Sequence, residues 1–227
     1  RRLGAEVREG GAAVEARREG EGAALAAADG RRLSCGALVN AAGAWGADFA
    51  RRFGEDAPLF AAGPPQFVTE PIPFFIGPSL QTIDGAVIAR QIARGNVILA
   101  GYPRTAADPV GNRAPTPPGK TLAGMAALAA MVPRLRHAQV IRVWSGIEGY
   151  LPDMIPVIGP SETTPGLFHA FGFCGHGFQI GPGVGLCLSE MICDGASPTP
   201  LDAFSIRRFR VGVETSEKFR KEFDAPG

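Results

Sequence analysis

Along the N-terminal stretch GAEVREGGAAVEARREGEGAALAAADGRRLSCGALVNAAG, short apolar and polar runs are cut repeatedly by Gly and Asp-Gly. That pattern predicts brief extended pieces joined by tight turns, a meander or small sheet. The run ALVNAAG has strand length and ends in glycine, as does a buried strand whose C-terminal tip is left open. In AWGADFARRFG the apolar residues Trp45, Phe49 and Phe53 recur at helical spacing, and Gly54 stops the helix.

From Ala57 to about Pro118 the texture turns Pro-rich and strand-biased, in PPQFVTEPIPFF, GAVIARQIARG and NVILAGYPR. Residues 86–92 and 96–101, joined at Arg94-Gly95, predict a hairpin in an antiparallel sheet. TPPGKTLAGMAALAAMVPRL starts a helix at Thr116-Pro117, runs through an alanine-rich body and stops at Pro133. AQVIRVWSGIEGY then resumes as strand. The last third reads as a strand at PVIG, a second strand at GLFHAFGF, a glycine loop, and a helix beginning near Gln179 and ending at Gly195; TPLDAFSIRRF is a short ordered tail. Both flanks share the order strand, glycine, helix, which is the local grammar of a nucleotide site, and the middle does not. No repeat of fixed period is present.

Composition narrows the classes. At 227 residues the chain can bury a real core, and 45% hydrophobic with 20% charged content is ordinary for a globular protein. Lys+Arg 23 against Asp+Glu 22 leaves no broad attraction to nucleic acid or anionic lipid. No apolar run approaches the roughly 20 residues of a membrane-spanning helix, and RRLGAEVREGG is no signal peptide, so a cytoplasmic protein is expected. Cys35, Cys174, Cys187 and Cys193 lack CxxC spacing and read as reduced thiols. His137, His169 and His176 are not at metal-ligand spacing, so no metal is expected.

The densest signal is HAFGFCGHGFQIGPGVG, with glycines at 172, 175, 177, 181, 183 and 185. Glycine packs nothing and is expected at such density where the chain turns sharply or its amides touch a ligand. Together VNAAGAW (residues 39–45), GIEGYLPDMIPVIGP (146–160) and GLFHAFGFCGHGFQIGPGVG (166–185) resemble, in order and spacing, the flavin-dependent family of glycine oxidase, sarcosine oxidase and D-amino-acid oxidase. The resemblance covers about Leu3 to Phe209. It implies an α/β fold, α+β overall: an incomplete FAD-binding nucleotide domain (1–56 and 146–227) with an inserted antiparallel-sheet substrate domain (57–145). It also implies FAD in an extended pose and hydride removal from the carbon beside an amine, giving an imine that water hydrolyses. The family's GxGxxG turn, which holds the FAD pyrophosphate on a helix N-terminus, is absent from this sequence. The expectation is therefore a C-terminal portion, inactive alone, whose missing N-terminal segment or a partner chain completes it; a homo-oligomer is left open.

The resemblance assigns roles residue by residue. Ala42, Gly43 and Ala44 are expected near the ribityl-pyrophosphate. The amides of Gly175, His176, Gly177 and Phe178, and the helix start near Gln179, are expected at the pyrimidine edge of the flavin, where N–H groups stabilise the reduced ring. A ligand-free strand-to-helix turn is the alternative. His176 touches flavin or substrate, or hydrogen-bonds backbone. Gln179 replaces a family lysine for the substrate carboxylate, which puts simple sarcosine oxidation in doubt. Gly146 replaces a cysteine that in some members bonds flavin, so FAD is expected to be non-covalent. Glu148 stands near a family arginine and meets a cationic substrate group or solvent. Arg90 is the candidate clamp for a small-molecule amine or amino-acid substrate, or an exposed strand arginine; Tyr150 could line the same pocket. Trp45 and Trp144 read as core. No catalytic base is nominated. Two other readings stand beside amine oxidation: a non-catalytic subunit or module of a multi-chain flavoenzyme, and a flavin-dependent hydroxy-acid dehydrogenase.

Overall fold

The computed structural model describes residues 3–20, 22–101 and 104–223. The chain folds as two compact units, Arg1–Pro58 with Ile155–Val213, and Leu59–Met154 with Glu214–Gly227. The first unit opens with β1 (Ala13–Glu19), β2 (Gly22–Ala27) and β3 (Arg32–Cys35), an antiparallel meander in that order, as the turn residues predicted. β4 (Leu38–Asn40) follows, then a 3-10 turn at Gly43–Trp45 and helix α1 (Gly46–Arg51). The buried face of α1 is not the expected aromatic stripe. Gly46, Ala47 and Ala50 are buried, whereas Trp45 is 40% exposed. Small residues won because the helix lies so close to its sheet that aromatic side chains have no room there: a Cβ on Gly46 would sit 2.4 Å from Cγ of Phe171.

The second unit contains β5 (Phe60–Gly63), β6 (Gln66–Pro71), β7 (Leu80–Gln81), β8 (Ile88–Gln91), β9 (Asn96–Ala100) and β10 (Thr105–Ala106). Helix α2 (Pro118–Met131), β11 (Val140–Trp144) and β12 (Glu148–Tyr150) complete it up to Met154. The expected hairpin is β8–β9, turning through Gly95 at φ +95. Tyr102 and Pro103, quoted within the predicted strand NVILAGYPR, lie outside the described residues. Helix α2 starts at Pro118 and is followed by a 3-10 turn at Pro133–Leu135, as its prolines predicted. Its Leu128 joins Phe67, Val87, Val97, Leu99 and Leu135 in one buried core.

AQVIRVWSGIEGY is not one strand. β11 pairs with β6 in the five-stranded sheet β11-β6-β9-β8-β7, whereas β12 pairs with β5 in the separate sheet β10-β5-β12. The cause lies on the partner strand. Pro64-Pro65 has no N–H to offer a ladder and interrupts β5–β6, so both strands of the pair change sheets at one level. Gly63 makes the crossing possible, since a Cβ there would lie 2.3 Å from Ser145 Oγ and 2.6 Å from Gly146 O.

Back in the first unit, β13 (Val157–Pro160) and β14 (Leu167–Phe171) form an antiparallel pair, and β14 lies parallel to β4, giving the order β13-β14-β4. Helix α3 (Gly177–Cys193) begins two residues before the expected start at Gln179 and carries Pro182 inside it. Two 3-10 turns, Asp202–Phe204 and Ile206–Arg210, make the predicted ordered tail.

A final helix, α4 (Glu217–Phe223), belongs to the second unit and was not foreseen. Phe219 and Phe223 meet Phe60 edge-on, with centroids 6.4 and 5.2 Å away, and Phe223 also meets Tyr150 at 4.9 Å. Glu222, 1% exposed, pairs with Arg104 at 3.4 Å. Among the described residues no helix is long and apolar enough to cross a membrane, and no group of His, Cys, Asp or Glu could hold a metal ion. None of the four cysteines is in a disulfide.

Candidate functional site

Two glycine-bearing loops leave the first unit's sheet from the same edge. β4 and β14 are parallel neighbours, with Asn40 opposite His169, so the chain emerges from both C-terminal tips side by side. Each tip leads through a loop into a helix, α1 or α3. The C-terminal edge of parallel strands is where open α/β sheets receive ligands, because helix N-termini and free loop amides converge there.

The second loop holds an unusual backbone. Gly172, Cys174 and Gly175 have φ of 71, 51 and 84. A left-handed cysteine is strained, so packing must impose it. Cys174 is buried and its thiol donates to Gly172 O at 3.2 Å, which makes it a small core residue. The His176 amide donates to Phe173 O at 2.9 Å, so of the four amides expected at a ring edge this one closes the loop. The His176 imidazole is exposed, its Nδ1 3.4 Å from the same carbonyl. Gly177 and Phe178 open α3, where amides precede the first intrahelical bond. The Gln179 amide turns back to His176 O at 3.1 Å, while its side chain is exposed. Phe178 is fully exposed, and so are most residues from Gly175 to Leu186. Thus the loop and the positive end of α3 face outward.

In the first loop, Gly43 has φ +56 and open space where a Cβ would stand. Ala42 is half-buried and Ala44 buried. Beneath them runs a polar chain that sequence reasoning missed. Asn40 Nδ2 donates to Gly46 O at 2.9 Å and Asn40 Oδ1 accepts from the Ala42 amide at 3.3 Å, so one side chain spans the loop. Asn40 Nδ2 also meets His169 Nδ1 at 3.2 Å, and His169 Nε2 meets Glu55 Oε2 at 2.9 Å. Glu55 accepts further from Ser161 Oγ at 2.6 Å and from the Glu162 amide at 2.8 Å. Asn40, His169 and Glu55 are each at most 5% exposed. Burial alone would raise the Glu55 carboxyl, but donation from His169, Ser161 and Glu162 outweighs it and holds the group below the usual glutamate range. The only signal in the sequence was a polar residue inside each of two apolar strands, Asn40 and His169; Glu55 gave none.

The second unit carries the remaining candidates and does not gather them on one element. Arg90 lies on β8, exposed, on the face opposite buried Ala89 and Gln91. Glu148 and Tyr150 lie on β12, in the other sheet. Tyr150 is completely buried and donates a short hydrogen bond to Glu148, so within its unit it packs beside Phe223 and lines no open pocket. Burial pushes its phenol well above the ordinary range, although Arg104, 5.8 Å from the ring, opposes this. Glu148 is half-buried and accepts from Tyr150. Gly146 is exposed, with nothing near its absent Cβ.

Residues 1–191 match the protein-family model described as FAD dependent oxidoreductase. The chain belongs to that family. This FAD-dependent oxidoreductase chain is 29% identical over 191 residues to mitochondrial dimethylglycine dehydrogenase of Rattus norvegicus, covering 76% of this chain and 22% of the relative. It is 26% identical over 176 residues to hydrogen cyanide synthase subunit HcnC of Pseudomonas protegens, covering 77% of this chain and 41% of that one. The chain thus spans less than half the length of these curated relatives. Its fold matches L-proline dehydrogenase from P. horikoshii with a TM-score of 0.84, at 23% identity, over 94% of this chain and 57% of that one. Family membership implies FAD, and the first unit's outward-facing loops fit it: Gly43 leaves open space, and the α3 N-terminus offers donors to an anionic group.

Proposed function

We propose that the protein oxidises the carbon–nitrogen bond of an amino acid or secondary amine, with FAD held non-covalently across the loops at Ala42–Gly43–Ala44 and 175–179. One observation supports this most: two glycine loops leave adjacent parallel strands at one edge, one of them opening an exposed helix N-terminus. FAD, when bound, supplies the two-electron oxidation. The chain's own groups bind and orient. The Gly177 and Phe178 amides and the positive end of α3 favour negative charge at the ring edge. Arg90, exposed and offering planar bidentate donors, holds a substrate carboxylate. Glu148 and Tyr150 stiffen β12 through their mutual hydrogen bond. The relative named as a subunit supports completion of the site by a further chain or segment.

The test begins with colour. Purified protein should show a flavin absorbance band that acid precipitation releases into the supernatant; colour retained in the pellet contradicts non-covalent binding. An amine panel should yield ammonia or amine with the oxo product, and turnover of hydroxy acids alone would favour the dehydrogenase reading. Replacing Arg90 by alanine should raise KM for an amino-acid substrate about tenfold or more, the loss of one charge-assisted interaction, and leave FAD affinity unchanged. Unchanged KM removes Arg90 from the site.

A further inference from the structure

We infer that Asn40, His169 and Glu55 are positioning residues: a one-directional hydrogen-bond chain that holds the Ala42–Ala44 backbone in the shape that receives the cofactor. The inference rests on the reading above that this loop meets FAD. Its direction follows from fixed ends. The Asn40 amide cannot rotate, because its oxygen faces the Ala42 N–H and its nitrogen faces the Gly46 carbonyl. The nitrogen therefore presents a hydrogen to His169 Nδ1, which must accept. The ring proton then sits on Nε2 and is donated to Glu55, whose carboxylate takes two more donors from Ser161 and Glu162. Every link has one permitted polarity. The turn at Ser161–Glu162 is thus wired to the Asn40–Gly46 loop through side chains at most 5% exposed, where a mismatched group finds no water to satisfy it.

Position-selective replacement separates positioning from bulk. His169→Gln keeps a donor near the ε position and loses the acceptor facing Asn40; His169→Asn keeps an acceptor at the δ position and loses the reach to Glu55. With FAD stripped and titrated back by flavin fluorescence, H169Q should bind FAD about tenfold more weakly, the effect of stranding one buried donor, and H169N should recover most of that loss. Amide hydrogen exchange at Ala42 and Trp45 in the apo-protein should follow the same ranking, because these two amides close the loop at Asn40 Oδ1 and Ala42 O. Equal behaviour of the two variants in both measurements overturns the inference. If FAD affinity is unmoved while exchange ranks as stated, the positioning role stands and the cofactor reading of this loop fails. Should H169Q not fold, the nitrogen chemical shifts of the native His169 ring decide: a proton on Nε2 upholds the chain, and a proton on Nδ1 overturns it.

Discussion

Replacing Glu55 by alanine should destabilise the protein by about 3 kcal/mol or more, since it strands the donors of His169, Ser161 and Glu162 at ~1–3 kcal/mol each. For a chain of this size that corresponds to a fall in Tm of about 6–12 °C, read by calorimetry of the apo-protein. A shift under about 2 °C would mean that water satisfies the donors and the network carries little. Glu55→Gln separates charge from shape. The folded carboxyl titrates below the 4.5 of a free glutamate, so its stabilisation is full above that value and is lost as pH falls through the folded pKa. The gap in urea midpoint between the native protein and E55Q should therefore be widest at neutral pH and close under acid. A gap that widens under acid would contradict the assigned direction.

The elements that local chemistry dictates were legible. The β1–β2–β3 meander, the β8–β9 hairpin and α2 each carry their own turn, start or stop signals, at Gly30, Gly95, Pro117 and Pro133. The two glycine loops were legible for the same reason. What escaped was set by distant partners. The break between β11 and β12 is caused by Pro64-Pro65 on the opposite strand, and nothing in AQVIRVWSGIEGY announces it. The buried face of α1 is Gly46, Ala47 and Ala50, residues too small to give a hydrophobic signal, so the larger Trp45 and Phe49 misdirected the reading. Helix α4 reads as the charged string EKFRKEF, and the burial of Glu222 depends on Arg104. The polar chain depends on Glu55 meeting His169 across 114 positions, a pairing that spacing cannot encode. Propensity speaks within a few residues, whereas burial of a charged or polar group is decided by the tertiary partner that satisfies it.

The same tight approach that misled the reading of α1 leads to a second large effect. Gly46→Ala would ordinarily stabilise a helix by roughly 0.5–1 kcal/mol through backbone entropy. Here its Cβ would lie 2.4 and 2.5 Å from Cγ and Cβ of Phe171, a ring with no exposed surface and hence no way to swing aside. Overpacking of this kind costs about 1–3 kcal/mol, so the clash should reverse the sign, and Gly46→Val should reach the upper end of that range. Because Gly46 O is also the acceptor for Asn40 Nδ2, displacing α1 pulls on the loop, and FAD affinity should fall with stability. A double-mutant cycle tests the cause. Phe171→Ala alone should cost about 3–5 kcal/mol by opening a cavity, yet in that background Gly46→Ala should cost little or become stabilising, since the new methyl enters the vacated space. Strictly additive losses would show that the ring is not what keeps position 46 a glycine.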